Sequence, residues 1–255
     1  MSMFTNYKSK SGGSKDWCIR VMPQFPKGTK VFVLPGAFYG SVVTLLAEAG
    51  MERAASVEDC DVVAFIGGAD INPSLYDEKN VKAYGINTVR DNLELATYKK
   101  AVELKKTCFG ICRGAQFLHA VNGGKLWQDV NNHGGRDHYV IDLDEDVRFL
   151  ATSIHHQMLQ ENDTMELVAV CEEPVATLFE DADLLVNTEA VGSNAPDILE
   201  VEAGAYVATR CFFVQGHPEV GGKEYRTWTM QKLLDYYLDW TGELRDIKEV
   251  ILNLS

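Results

Sequence analysis

Residues 107–129 read TCFGICRGAQFLHAVNGGKLWQD, and the fold follows from how this stretch divides. The apolar run 108–111 has the composition of a buried strand, while Phe117, Leu118 and Val121 recur at helical spacing and Asn122-Gly123-Gly124 supplies a stop. Strand and helix therefore meet at Cys112. Gly110 and Gly114 stand two residues to either side, where a missing Cβ relieves crowding in a sharp strand-to-helix turn. This is the nucleophile-elbow pattern with cysteine in the serine position. A thiol at a helix start meets free N–H groups and the positive end of the helix dipole, which favour thiolate. Without its glycines the same cysteine would read as an ordinary buried residue.

Upstream, KVFVL at 30–34 is a strand signal, followed by Pro35-Gly36 and a helix pattern over 41–49 that stops at Gly50. DVVAFI at 61–66 is a second buried strand. It runs into Gly67-Gly68-Ala69-Asp70-Ile71-Asn72-Pro73, where a glycine pair lets backbone amides face a ligand. A helix is expected over 91–104 with Leu93, Ala96, Ala101 and Leu104 on its inner face. This alternation predicts a parallel sheet covered on both sides. Downstream, short strand candidates at 139–143, 165–171, 176–179, 184–186 and 198–202 point to an antiparallel or mixed extension. A strand expected over 206–214 leads into Gln215-Gly216-His217-Pro218-Glu219. Residues 225–240 read as a closing amphipathic helix with Trp228, Leu233, Leu234, Tyr237 and Leu238 inward, and 243–254 as a short appended helix. One domain over 1–255 is the simplest account, with a polar lead-in at 1–28 and an appendage at 241–255.

Composition narrows the function classes. Hydrophobic residues make up 46% and charged residues 24% of the chain, values of an ordinary globular protein. A net charge of -13 without any basic run argues against nucleic acid as the main partner. No apolar segment is long enough to span a bilayer, and the polar N-terminus has no signal-like core, so a cytoplasmic protein is expected. The six cysteines, at 18, 60, 108, 112, 171 and 211, show no paired spacing that would indicate a disulfide framework or a zinc finger.

A cysteine nucleophile needs a base that takes its proton and later returns it, and histidine suits both tasks near neutral pH. Among six histidines, His217 is best placed, because it follows a strand in a Gly-His-Pro-Glu turn. Glu219 can accept its other N–H and fix its orientation. Other polar residues read more plainly. His133, Asp137 and His138 could be drawn as a metal site, but no matching ligands cluster near them in sequence, and they read as loop. His119 is expected packed within its helix, Asp70 and Asn72 as loop caps, 142–146 as a solvated acidic turn, and Cys108 as core.

The segment 110–116, GICRGAQ, together with 215–219, QGHPE, resembles the class I glutamine amidotransferase superfamily. GGADINPSLY at 67–76, Arg90-Asp91 with Glu94, Gly123-Gly124 with Gln128-Asp129, and Ser153-Ile154-His155-His156-Gln157 are similar, in order, to its γ-glutamyl hydrolase-like branch, which includes γ-glutamyl-GABA hydrolases. The resemblance implies a flavodoxin-like three-layer α/β/α sandwich with its site at the C-terminal edge of a mostly parallel sheet. It implies Cys112 as nucleophile, His217 as base and acid, and Glu219 as orienting carboxylate. It implies an oxyanion hole from the amides of Gly68 and Arg113, and substrate contacts from Gln116, Gly67, Ser153 and His155. The implied reaction is cleavage of a γ-glutamyl amide through a thioester, with no metal or organic cofactor.

Two partner arrangements fit that chemistry: a stand-alone hydrolase of glutamine or a γ-glutamyl amine, and a glutaminase subunit passing ammonia to a separate synthetase. From another class comes a non-catalytic binding module on the same fold, against which the intact Cys112, His217 and Glu219 weigh. Gly216 stands where relatives usually carry a bulky aromatic residue, and Thr152 where the branch often has asparagine. Looser packing around the base is expected from the first.

Overall fold

Strands and helices alternate through the first half of the chain in a computed structural model that describes residues 21–192 and 196–242. The start of the polar lead-in, at 1–20, and the helix expected at 243–254 lie outside the described residues. β1 (Lys30–Val33) pairs in parallel with β2 (Glu52–Arg53) and β3 (Val62–Phe65), and β3 pairs in parallel with β4 (Thr107–Ile111). The helices α1 (Tyr39–Glu48), α2 (Thr88–Glu103) and α3 (Arg113–Val121) connect and follow these strands.

The second half adds β5 (Leu126–Trp127), β6 (Asp129–Val130), β7 (His138–Asp142), β8 (Val147–Ala151), β9 (Met158–Leu159), β10 (Glu166–Cys171), β11 (Leu178–Glu180) and β12 (Leu185–Asn187). After these come the short α4 (Thr188–Val191), then β13 (Val201–Tyr206), β14 (Cys211–Val214) and α5 (Lys223–Thr241). The main sheet runs β2-β1-β3-β4-β14-β13-β10-β7-β8. It is parallel as far as β14 and antiparallel beyond it, so β14 joins the two halves. β12, β11 and β6 form a separate small sheet.

Alternate strand residues point to opposite faces, and the core divides accordingly. Val62, Ala64, Phe109, Ile111, Phe212 and Val214 face α1 and α5, meeting Leu45, Trp228 and Leu233. Val63, Phe65, Cys108, Cys211 and Phe213 face α2 and α3, meeting Tyr98, Phe117 and Leu118. Both faces being covered, these strands are apolar throughout, as their sequence runs require. Each fully buried phenylalanine here stabilises the layers by roughly 2 kcal/mol relative to an exposed one.

Several expectations are corrected. The buried face of α2 carries Asp91, Glu94, Thr97, Tyr98 and Ala101. Leu93 is 53% exposed and Leu104 lies at the rim, because the inner carboxylates meet a cationic partner on α3. The chain over 198–214 is a hairpin: β13, a 3-10 turn at Val207–Thr209, Arg210 at φ 55°, then β14. Asp142 is no solvated turn residue. It is fully buried, accepting the N–H of Asp144 and the indole N–H of Trp228 and pairing with Lys232. α5 packs as expected, with Trp228, Leu233, Leu234 and Tyr237 buried and Leu238 partly so.

Candidate active site

Cys112 joins β4 to α3 with φ 52° and ψ -112°, a backbone state that costs an L-residue on the order of 1–3 kcal/mol. Its surroundings enforce it. The Cys112 N–H donates to Val214 O at 2.9 Å, fixing the end of β4 against β14. α3 then starts so close to β3 that any Cβ on Gly114 would overlap the carbonyl of Phe65. The elbow read from two glycines is thus a steric requirement.

Because Val214 pairs with Ile111, the residues that follow β14 emerge beside Cys112 at the same sheet edge. Cys112, His217 and Glu219 are 6%, 3% and 4% exposed. His217 Nδ1 lies 2.6 Å from Glu219 Oε1, and the ring also hydrogen-bonds to Cys112. Burial opposes charge on this imidazole, but the bonds to Cys112 and Glu219 and their negative charge outweigh it, and the pKa is raised to about 10. His217 is therefore held as an imidazolium between the Cys112 sulfur and the Glu219 carboxylate.

Three contacts hold His217 in place. Thr152 Oγ1 donates to the His217 carbonyl and accepts the His217 N–H, both at 2.8 Å. The ring of Phe38 meets the imidazole edge-on at 5.2 Å, and the Gly67 backbone lies against its Cε1 side. The looser packing expected at Gly216 is not found. A Cβ there would stand 2.5 Å from Thr152 O and 2.7 Å from the Tyr225 hydroxyl, so those groups fill the space an aromatic side chain would need. Neither Phe38 nor the role of Thr152 was legible in sequence, since each lies far along the chain from His217.

On the other side of Cys112, the loop after β3 rests on buried charge. Arg90 Nη2 donates to the carbonyls of Ile66 (2.7 Å) and Gly67 (3.1 Å), and its Nε to Glu94 Oε1 at 2.9 Å. The Arg113 side chain donates to Ala69 O (2.9 Å), Asp91 Oδ1 (2.5 Å) and Glu94 Oε2. Gly68 has φ 148°, and a Cβ on it would overlap the Arg90 guanidinium. Arg113 is also the first residue of α3, where a backbone N–H has no acceptor within the helix. The sequence showed Arg90, Asp91 and Glu94 as a motif without a task. Charged residues at i, i+1 and i+4 just after a glycine loop were the signal.

The remaining candidates are placed as follows. Gln116 N donates to Cys112 O (3.0 Å) and its Nε2 to Gln157 O (3.3 Å), one turn from the sulfur. Ser153 and His155 are buried, with Ser153 Oγ donating to His133 O and His155 Nδ1 2.9 Å from Gln157 O. Burial, then the nearby His133, holds His155 well below the ordinary imidazole pKa. His133 and His138 are not open-loop residues. They are buried against Glu200 and Glu202, whereas Asp137 is exposed. His156 bridges Asp70 and Asp129 beneath the stacked ring of Tyr84, and Asn72 caps the turn Pro73–Tyr76. His119 is packed as expected, its pKa lowered to about 4 by burial.

A model of the family Peptidase C26 matches residues 35–219, spanning the elbow, the glycine loop and the His217 turn. The chain belongs to the Peptidase C26 family. This places it among class I glutamine amidotransferase-like proteins. It is 32% identical over 121 residues to the glutamine amidotransferase-like protein YvdE of Lactococcus lactis subsp. lactis, covering 40% of this chain and 51% of that protein. The chain thus spans about half the length of that relative. It is 26% identical over 241 residues to Protein NtpR of Enterococcus hirae, covering 83% of this chain and 91% of that one. The fold is shared with PurLQS of Thermotoga maritima, at a TM-score of 0.55 and 17% identity over 83% of this chain and 99% of that one. It is shared too with a GMP synthase subunit protein of Thermoplasma acidophilum, at a TM-score of 0.53 and 14% identity over 88% and 99%. No helix among the described residues is long and apolar enough to cross a membrane.

Proposed function

We propose that this Peptidase C26 member is a cysteine amidohydrolase cleaving the γ-glutamyl amide bond of glutamine or a γ-glutamyl amine, as in the γ-glutamyl hydrolase-like branch. The observation that carries this reading is the Cys112–His217–Glu219 constellation on a strained elbow. The Cys112 thiolate attacks the amide carbon, and the oxyanion rests on the amides of Gly68 and Arg113, each such donor being worth about 3 kcal/mol. The His217 imidazolium gives its proton to the departing nitrogen, releasing ammonia or an amine and leaving a γ-glutamyl thioester. Neutral His217 then takes a proton from water, whose oxygen attacks the thioester. Glutamate leaves, and the proton held on His217 restores the couple with Cys112. Glu219 orients the ring throughout. Gln116 and Gly67 hold the glutamyl group, with Ser153 and His155 forming the wall behind it.

The test is incubation with glutamine and a panel of γ-glutamyl amines, reading glutamate release. Release from at least one of them supports the assignment, and no release from any, with or without a partner protein, contradicts it. A second reading is favoured by the relatives named as glutamine amidotransferase-like and by the fold shared with part of a synthase. On it, the chain hands ammonia to a separate synthetase. Glutaminase activity near zero alone that rises severalfold when the synthetase is added would select this reading.

A further inference from the structure

On the antiparallel side of the sheet, behind the catalytic base, His133, His138, His155, Glu200 and Glu202 are buried together. The proposed reaction moves no proton through them. Their hydrogen bonds decide which atom of each faces the common centre. Glu200 accepts the N–H groups of Val175 (3.1 Å) and Ala176 (2.7 Å), so it is an acceptor, and His133 Nε2, 3.0 Å from it, is the donor. That leaves the lone pair of His133 on Nδ1. His155 Nδ1 lies 2.9 Å from the carbonyl of Gln157, which only accepts, so the lone pair of His155 is on Nε2. Glu202 Oε1 takes a hydrogen bond from His138 at 2.8 Å and stands 3.9 Å from His133 Nδ1, and Oε2 of the same carboxylate is buried without a hydrogen-bond partner. Ser153 gives its only hydrogen to the His133 carbonyl, and its oxygen then stands 3.1 Å from His133 Nδ1 and 3.4 Å from His155 Nε2.

Four lone-pair-bearing groups therefore converge with no hydrogen left to share between them. Ligand atoms of His133, His155 and Glu202 all lie within 4.8 Å of one another. In a dry interior such a group is unfavourable unless a positive charge sits inside it. Imidazoles whose other nitrogen is committed to a carboxylate or a carbonyl are also how proteins orient metal-binding histidines. Two nitrogens and two oxygens at this spacing suit a four-coordinate first-row ion.

We propose that His133, His155 and Glu202, completed by Ser153, form a buried structural site for a divalent first-row cation, Zn2+ foremost. With ligand bonds of about 2.0–2.1 Å, the widest separation closes by about 1.5 Å on binding. The ion ties β13 to the segments around 133 and 155, which the bridge between Gly134 and Ile154 already brings together. The rival reading is a cluster held by its protein hydrogen bonds alone, with no ion.

Equilibrium dialysis of the full chain carrying Cys112→Ala, which removes the active-site thiolate as a competing ligand, decides between them. One Zn2+ retained per chain is expected, with a melting temperature several degrees higher. Co2+ in the same site should give the visible absorption of a four-coordinate ion without a thiolate charge-transfer band. Glu202→Gln and His155→Gln should each weaken retention by about 100-fold or more. No stoichiometric ion, a sulfur charge-transfer band, or undiminished retention in a folded variant overturns the site. The readout is binding, so it is independent of whether the hydrolase assignment stands.

Discussion

Two buried groups of charge meet at the start of α3, and they are built on opposite plans. At its crest, the His217 imidazolium stands between Cys112 and Glu219, and Glu219 Oε2 has no hydrogen-bond partner. Beneath the glycine loop, Arg90 and Arg113 face Glu94 and Asp91, and the guanidiniums also hold the carbonyls of Ile66, Gly67 and Ala69. The first group keeps unused capacity, as the proposed reaction requires of a group whose charge changes. The second is bonded on both sides, to carboxylates and to loop carbonyls, so it holds the loop above it in place. A reactive group can be left free to change only where its neighbours are fixed by something else.

If that division is right, mutations on the two sides fail differently. The largest effect belongs to Cys112→Ala, which should lower turnover on the order of 10⁴-fold or more with little change in melting temperature. Near-normal ammonia release would place the chemistry elsewhere. Glu94→Ala should cost stability instead, about 3–5 kcal/mol by denaturant unfolding, because the buried Arg113 and the half-buried Arg90 lose a shared carboxylate. Lost activity at unchanged stability would mean that Glu94 belongs to the reacting side. Glu219→Gln should be milder than loss of the base, about 10²-fold in kcat against a larger fall for His217→Asn, since it orients without transferring a proton. Equal losses would contradict the roles given to them.

The smallest effect is a titration. The folded pKa of His217, about 10, lies above its unfolded value of about 6.5. Its charge therefore stabilises the fold fully below pH about 6.5, and that contribution is lost as pH rises through about 10. Cys112→Ala removes two of the causes that raise this pKa, so the imidazole resonances of His217 should titrate at lower pH in the variant. An unmoved titration would show that Glu219 alone holds the charge and that the sulfur does not share it.

The same contrast explains what was legible in sequence. The reacting side announced itself locally: two glycines around Cys112, and a proline and a glutamate beside His217. The supporting side did not. Reading α2 by apolar spacing put Leu93 inward, whereas Asp91 and Glu94 are buried, because their partner Arg113 lies about 20 residues on. Asp142 was hidden likewise, its partners Trp228 and Lys232 being nearly 90 residues away. The hairpin at 201–214 escaped because its turn contains no glycine or proline, and Arg210 takes the left-handed conformation that a glycine would have signalled. His133 and His138 read as loop for want of nearby ligands, and Glu200 and Glu202 reach them only through the sheet.

Trapping with an electrophilic glutamine analogue, followed by peptide mass spectrometry, addresses the sulfur itself. One adduct per chain is expected on Cys112, slowed by His217→Asn and absent in Cys112→Ala, while Cys60, Cys108, Cys171 and Cys211 stay unmodified. Labelling that bypasses Cys112, or that proceeds at the same rate without His217, would contradict it.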